Sequence, residues 1–189
     1  MDDTRLADQL ARDLDGAFEA LVRAHADRCF AIALRILGNA HDAEEVAQDA
    51  LVRAYRALGT YEASRIRELR LRPWLATIVV NGCRNRLRGR RVSTTPLAPL
   101  VEAGVEPTAG LATDPETLLA RTSQAASLAA LLHGLPLRYR VPVVLRHVHD
   151  LTYPELAEVL GRPEGTLKAQ VHRGLALLRA AADHEELTA

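Results

Sequence analysis

Apolar residues recur every three or four positions along most of this chain, and helix caps punctuate the recurrences. Phe18, Leu21, Val22, Phe30, Ala33, Leu34 and Leu37 form one stripe, which predicts a helix over Gly16–Leu37 stopped by Gly38. Asn39 can cap the next helix. There Ala43, Val46, Ala47, Ala50, Leu51, Ala54 and Leu58 make the buried stripe. Gly59–Arg72 is less regular, and a further helix is predicted from Pro73 to Arg88. Ser93–Thr113 holds Pro96, Pro99, Gly104, Pro107 and Gly110 without a sustained period, and reads as a linker. Asp114-Pro115-Glu116 then opens a helix with acids near its positive end. Val144, Leu145 and Val148 are spaced for a helix rather than a strand. Near the end, Leu156, Ala157 and Leu160 line one helix, which Gly161 stops in a left-handed conformation. Pro163 suits the first turn of another, whose buried face is Leu167, Val171, Leu175 and Leu178. No strand pattern, internal repeat or low-complexity tract is present. The expected fold is all-α: two small helical domains, residues 13–92 and 114–182, joined by a flexible linker over 93–113.

Opposite its buried face, the last helix presents Thr166, Lys168, Ala169, Gln170, His172 and Arg173. This is the layout of a helix-turn-helix whose second helix enters the major groove. Plain solvation also produces a charged face, so the pattern by itself leaves both readings open. Composition narrows the rest. Of the 189 residues, 48% are hydrophobic but only 4% aromatic, so the core is aliphatic, which suits helices. The net charge is zero, yet nine arginines fall between Arg65 and Arg91 against a single acid, Glu68. Local fields of this kind steer polyanions. Lys168 is the only lysine, so part of the arginine excess is a compositional habit. Cys29 and Cys83 lack zinc spacing and are expected as reduced thiols. The seven histidines, His25, His41, His133, His147, His149, His172 and His184, form no metal or nucleophile motif. No enzymatic activity, cofactor or metal is therefore expected. The acidic N-terminus is unlike a signal peptide, and no apolar run reaches membrane-span length. The expected location is cytoplasmic, without membrane insertion.

Three blocks in order carry a resemblance: DAEEVAQDALVRAYRAL (Asp42–Leu58), RPWLATIVVNGCRNRLRGRR (Arg72–Arg91) and LPLRYRVPVVLRHVHDLTYPELAEVLGRPEGTLKAQVHRGLALLR (Leu135–Arg179). Together they resemble the extracytoplasmic-function group of bacterial sigma factors. The resemblance covers nearly the whole chain apart from the first dozen residues, the linker and the last few residues. It implies a second and a fourth sigma region that bind core RNA polymerase and read the −10 and −35 promoter elements. The alternative is a helix-turn-helix regulator that does not engage polymerase; it would lack the Asp42–Leu58 face and would read paired half-sites as a dimer.

Carried onto this chain, the resemblance implies that Asp42, Glu45, Gln48 and Asp49 dock on the clamp coiled coil of the polymerase's largest subunit. The helix through Leu145 and Arg146 supports the last domain and touches the flap. Asn81 reads a base edge of the −10 element, which a carboxamide can do as donor and acceptor. Arg84, Arg88, Arg90 and Arg91 meet phosphates. The Tyr61–Arg72 segment forms a pocket for an extruded base, with Tyr61, Ser64 and Arg67 as its candidates. It is several residues longer than is usual in the family and lacks the common glycine-acid-serine turn. Trp74 is mainly a core anchor. Asn85 stands where many members have aspartate. The −35 element falls to Lys168, Ala169, Gln170, His172 and Arg173, where Ala169 replaces a frequent serine and Gln170 a frequent arginine. An anti-sigma factor that wedges between the domains is the further implied partner.

Overall fold

The computed structural model describes residues 2–92 and 127–186. These residues are helical, with no strand among them. The first body holds α1 (Asp3–Arg12), α2 (Leu14–Leu37), α3 (Ala40–Leu58), α4 (Ala63–Glu68) and α5 (Leu71–Val92). The second holds α6, described over 127–134, then α7 (Leu137–His147), α8 (Tyr153–Leu160) and α9 (Glu164–Glu186). The predicted linker at 93–113 and the helix start at Asp114 lie outside the described residues.

Local chemistry sets most boundaries. The Asp13 side chain accepts from Gly16 N–H at 3.0 Å and starts α2 two residues ahead of the predicted Gly16. Gly38 stops that helix at φ 75°, donating to Leu34 O. Asn39 accepts from Asp42 N–H at 2.9 Å and starts α3. A reciprocal capping box between Thr152 and Glu155 opens α8, and Gly161 closes it at φ 63°.

Two features depart from the expected domain plan. The first is α1. Its Leu6, Ala7 and Leu10 are buried as α1 packs on α2, α4 and α5, so the first body begins ahead of Asp13. The second is that the bodies touch. α8 packs on α5 and α7 on α2. One apolar cluster runs from Leu21, Ile32 and Leu75 of the first body to Val141, Leu145, Leu151 and Leu156 of the second. The Arg140 guanidinium crosses the seam to cap the end of α2, with Nη1 donating to Ile36 O at 2.9 Å. Its Nη2 donates to Leu135 O at 3.0 Å and to His133 O, and the His133 ring covers Gly38.

Within the second body, α7 and α9 approach closely at Gly174. A Cβ there would stand 2.6 Å from Val143 Cγ2 and 3.3 Å from Tyr139 Cβ. Gly174→Val should overpack this contact and destabilise the second body by about 1–3 kcal/mol. Calorimetry should show a lowered Tm; an unchanged Tm would contradict the close approach.

Candidate nucleic-acid and partner interfaces

The outer face of α3 is polar because its other face is spent on the core. Glu45, Gln48 and Asp49 are exposed, with Gln48 donating to Glu44 at 3.2 Å and Asp49 accepting from Arg53 Nε at 2.8 Å. Asp42 stands apart from these three. It is only 3% exposed, and its Oδ1 accepts from Arg86 Nε at 3.0 Å and Nη2 at 2.6 Å. Arg86 Nη2 also lies 2.6 Å from Glu45 Oε2. The Asp42 hydrogen bond and charge, with help from Glu45, raise the Arg86 pKa above its ordinary value. Asp42 therefore faces α5 and fixes Arg86 rather than presenting a free carboxylate. Its spacing of four from Val46 and eight from Ala50 was the signal that it belongs to the buried stripe. Beside this pair, Glu45, Val46, Asp49, Arg53, Gly82, Asn85 and Arg86 line a cleft of about 270 Å³ between α3 and α5.

The α5 face carries the −10 candidates. Asn81 is exposed, and its Oδ1 accepts from Arg84 Nη1 at 3.4 Å. Arg88 Nη2 donates to Asn85 Oδ1 at 2.8 Å. Burial, then the neighbouring Arg162 and Arg88, lower the Arg84 pKa. No acid neutralises these arginines among the described contacts, so they suit phosphates. The side chains of Arg90 and Arg91 lie outside the described residues.

The irregular segment contains a helix of its own, α4, which carries Ser64 and Arg67 three residues apart. Ser64 is exposed. Arg67 Nε bonds Asp8 Oδ1 at 3.2 Å, so α1 engages this candidate. Tyr61 precedes α4; its ring centroid is 6.3 Å from that of Trp74, and the Arg65 guanidinium sits 3.8 Å above it. Trp74 is partly buried against the core.

On α9, Lys168, Ala169, His172 and Arg173 are exposed together. Lys168 Nζ lies 3.7 Å from Glu164 and 5.4 Å from the Tyr153 ring centroid. Gln170 is half-buried, and its Oε1 accepts from Arg162 Nη1 at 3.2 Å. That bond occupies the oxygen an amide needs to read adenine with both its groups. Leu145 is fully buried, and Arg146 sits over the Tyr153 ring.

Both thiols are buried. Burial pushes Cys29 up to about 11, despite Arg28, and Cys83 up to about 12. Among the described residues no group of His, Cys, Asp and Glu is placed to hold a metal ion, and no helix is long and apolar enough to cross a membrane. Sequence reasoning missed two residues that stand at these surfaces. Arg162 occupies the turn of the helix-turn-helix, and Arg70 bonds Glu155 and Glu158 of α8.

Comparison with known proteins follows the same division. Residues 21–92 match Sigma-70 region 2, and residues 125–178 match Sigma-70, region 4. The chain is 32% identical over 162 residues to the ECF RNA polymerase sigma factor SigM of Mycobacterium tuberculosis, covering 86% of this chain and 75% of that one. It is 31% identical over 175 residues to the RNA polymerase sigma-E factor of Streptomyces coelicolor, covering 91% and 86%. Among solved structures, CnrH in complex with the cytosolic domain of CnrY is similar at a TM-score of 0.68 and 27% identity, covering 96% of this chain and 97% of that one.

Proposed function

The chain belongs to the ECF group of RNA polymerase sigma factors, and from that premise we propose how its residues divide the work. As a sigma factor it binds core RNA polymerase and directs initiation at promoters with −10 and −35 elements. Its action is binding and placement; the bond chemistry belongs to the polymerase.

Glu45, Gln48 and Asp49 dock on the largest-subunit clamp, with Asp42 behind them holding Arg86. Asn81 reads the −10 element while Arg84 and Arg88 hold its phosphates, and Tyr61, Ser64 and Arg67 border the base pocket. Lys168, Ala169, His172 and Arg173 face the −35 element, and Gln170 joins them through Arg162. The working units are residues 13–92, extended back over α1, and 114–182. The expected partners are core polymerase, promoter DNA and an anti-sigma factor, which together imply a cytoplasmic protein.

The observation that carries this reading is the order of the two units. A region 2 match is followed by a region 4 match, and each presents an exposed polar or cationic helix face. The regulator alternative leaves the first unit without a task. The test is co-elution with core polymerase on size exclusion, then run-off transcription from a bubble-containing template. A chain that neither co-elutes nor initiates is not a sigma factor. A finer test concerns Arg173, whose guanidinium can pair with guanine edges or with phosphates of the −35 element. Arg173→Ala should weaken holoenzyme binding across −35 sequences and reduce the log–log salt slope by about 1. An unaltered slope removes it from the phosphate contacts.

A further inference from the structure

Arg162 is an exposed arginine held in a defined place. It stands between Gly161, which ends α8 at φ 63°, and Pro163, which precedes α9. A residue before proline is disfavoured in the helical conformation, so Arg162 belongs to the turn and not to α9. Its side chain nevertheless runs beside that helix, with Nη1 donating to Gln170 Oε1 at 3.2 Å. Gln170 lies six residues beyond the first residue of α9, a rise of about 9 Å. The arginine is therefore stretched along the helix instead of sweeping through solvent.

Much of its binding capacity is unspent. A guanidinium has five N–H donors, and the bond to Gln170 uses one. No acid pairs with Arg162 among the described residues. Glu164, the acid in the first turn of α9, lies 3.7 Å from Lys168 Nζ. A guanidinium tethered at one corner, with the others open, suits a phosphate, which it can meet with two parallel bonds. Position decides between phosphate and base. In a helix-turn-helix the second helix reaches the base edges, while the first helix crosses the DNA backbone. Arg162 sits in the turn between them, whereas Lys168, Ala169, His172 and Arg173 share the exposed face of α9. Gln170 is half-buried at the edge of that face, with its oxygen committed to Arg162.

Resting on the sigma-factor reading, we propose that Arg162 binds a phosphate of the −35 element and that Gln170 is its positioning residue. The two act as one contact, in which Gln170 supplies the anchor and Arg162 the charge. Where the family pattern has a frequent arginine at position 170, this chain brings a cation from the turn, eight residues earlier, and uses the glutamine to hold it. A phosphate is common to every sequence, so the contact adds affinity and fixes register without choosing bases. Base choice is left to Lys168, Ala169, His172 and Arg173.

The test uses the full chain assembled with core polymerase, and a pool of duplexes randomised through the −35 stretch. Binding is followed by fluorescence anisotropy across a salt series, and the bound fraction is sequenced. Arg162→Ala should reduce the log–log salt slope by about 1 and weaken binding by about fivefold at about 0.15 M salt. The selected sequences should not change. Arg162→Lys, which keeps the charge, should keep the slope. Gln170→Ala should weaken binding by about twofold in the parent and no further in the Arg162→Ala background, as expected of residues that share one contact. A parent-like slope in Arg162→Ala overturns the phosphate contact, and so does a changed set of selected sequences, which would make Arg162 a base reader. Equal losses from Gln170→Ala in both backgrounds overturn the positioning role. A chain that does not co-elute with core sinks the sigma reading before the salt series begins; a holoenzyme that forms and gives any of these contrary results sinks only the present inference.

Discussion

Asp49→Lys is expected to lower affinity for core polymerase by about tenfold or more, chiefly through a slower on-rate, with little change in Tm. The argument rests on where the carboxylate stands. Asp49 projects from the outer face of α3, where it pairs with Arg53, four residues on and itself exposed. Such a surface pair contributes at most a few tenths of a kcal/mol, so reversing the charge costs the fold little. It does place a lysine in the middle of a face whose other members are Glu45 and Gln48. A basic partner helix would then meet repulsion where it had met attraction. Asp42→Ala is the control with the opposite signature. Its carboxylate is buried beneath Arg86, so its loss should lower Tm by weakening the α3–α5 contact. Surface plasmon resonance on immobilised core polymerase, paired with thermal melts, separates the two. Parent-like binding by Asp49→Lys would remove that residue from the docking face.

The second large effect is an acid weakness centred on His149. This residue follows α7, is 7% exposed, and its Nε2 has no hydrogen-bond partner among the described residues. Arg35 and Arg28 of α2 face it from the other body, and Asp150 is its neighbour. Burial first, then Arg35 and Arg28, push its pKa down to about 4, with Asp150 acting the other way. The unfolded or undocked imidazole takes its proton at the ordinary 6.5. Between those values the folded state binds fewer protons, so stability is at full strength above pH 6.5 and is lost as pH falls towards about 4. From pH 7 to pH 5 this group alone should remove about 2 kcal/mol. His25, lowered by burial against the pull of Asp3, and His133, lowered by burial and Arg140, act in the same direction. Urea titrations of the parent and His149→Leu at pH 7 and pH 5 measure the difference. The parent should lose about 2 kcal/mol more than the variant; parallel losses would refute the assignment.

Helices α2, α3, α5, α8 and α9 were legible because their information is local. A one-turn apolar spacing and a capping residue lie within a few positions of each other, as with Asn39 before α3 and Thr152 before α8. Glycine stops at Gly38 and Gly161 were legible for the same reason. Contacts between distant residues were not. Arg70 and Glu155 are separated by 85 positions, and Arg140 and Ile36 by 104, so no periodicity links them. Two independent apolar stripes predict two cores; that the cores merge depends on which faces meet. α1 has helical spacing at Leu6, Ala7 and Leu10, but its polar, mixed-charge composition hid it from the domain plan. The site was legible by type more than by partner. Lys168, His172 and Arg173 are exposed together as the helical period predicts, whereas the side-chain partners of Asp42, Arg67 and Gln170 lie on other elements or outside the helix and escaped the pattern.

The shared apolar cluster has a consequence for the life of the chain away from polymerase. Val141, Leu145, Leu151 and Leu156 are covered in part by the first body. Parting the bodies bares aliphatic surface on both, and exposed patches of that kind invite self-association. While the bodies stay packed, that surface is kept from water. A partner that covered this aliphatic surface would lower the cost of parting the bodies.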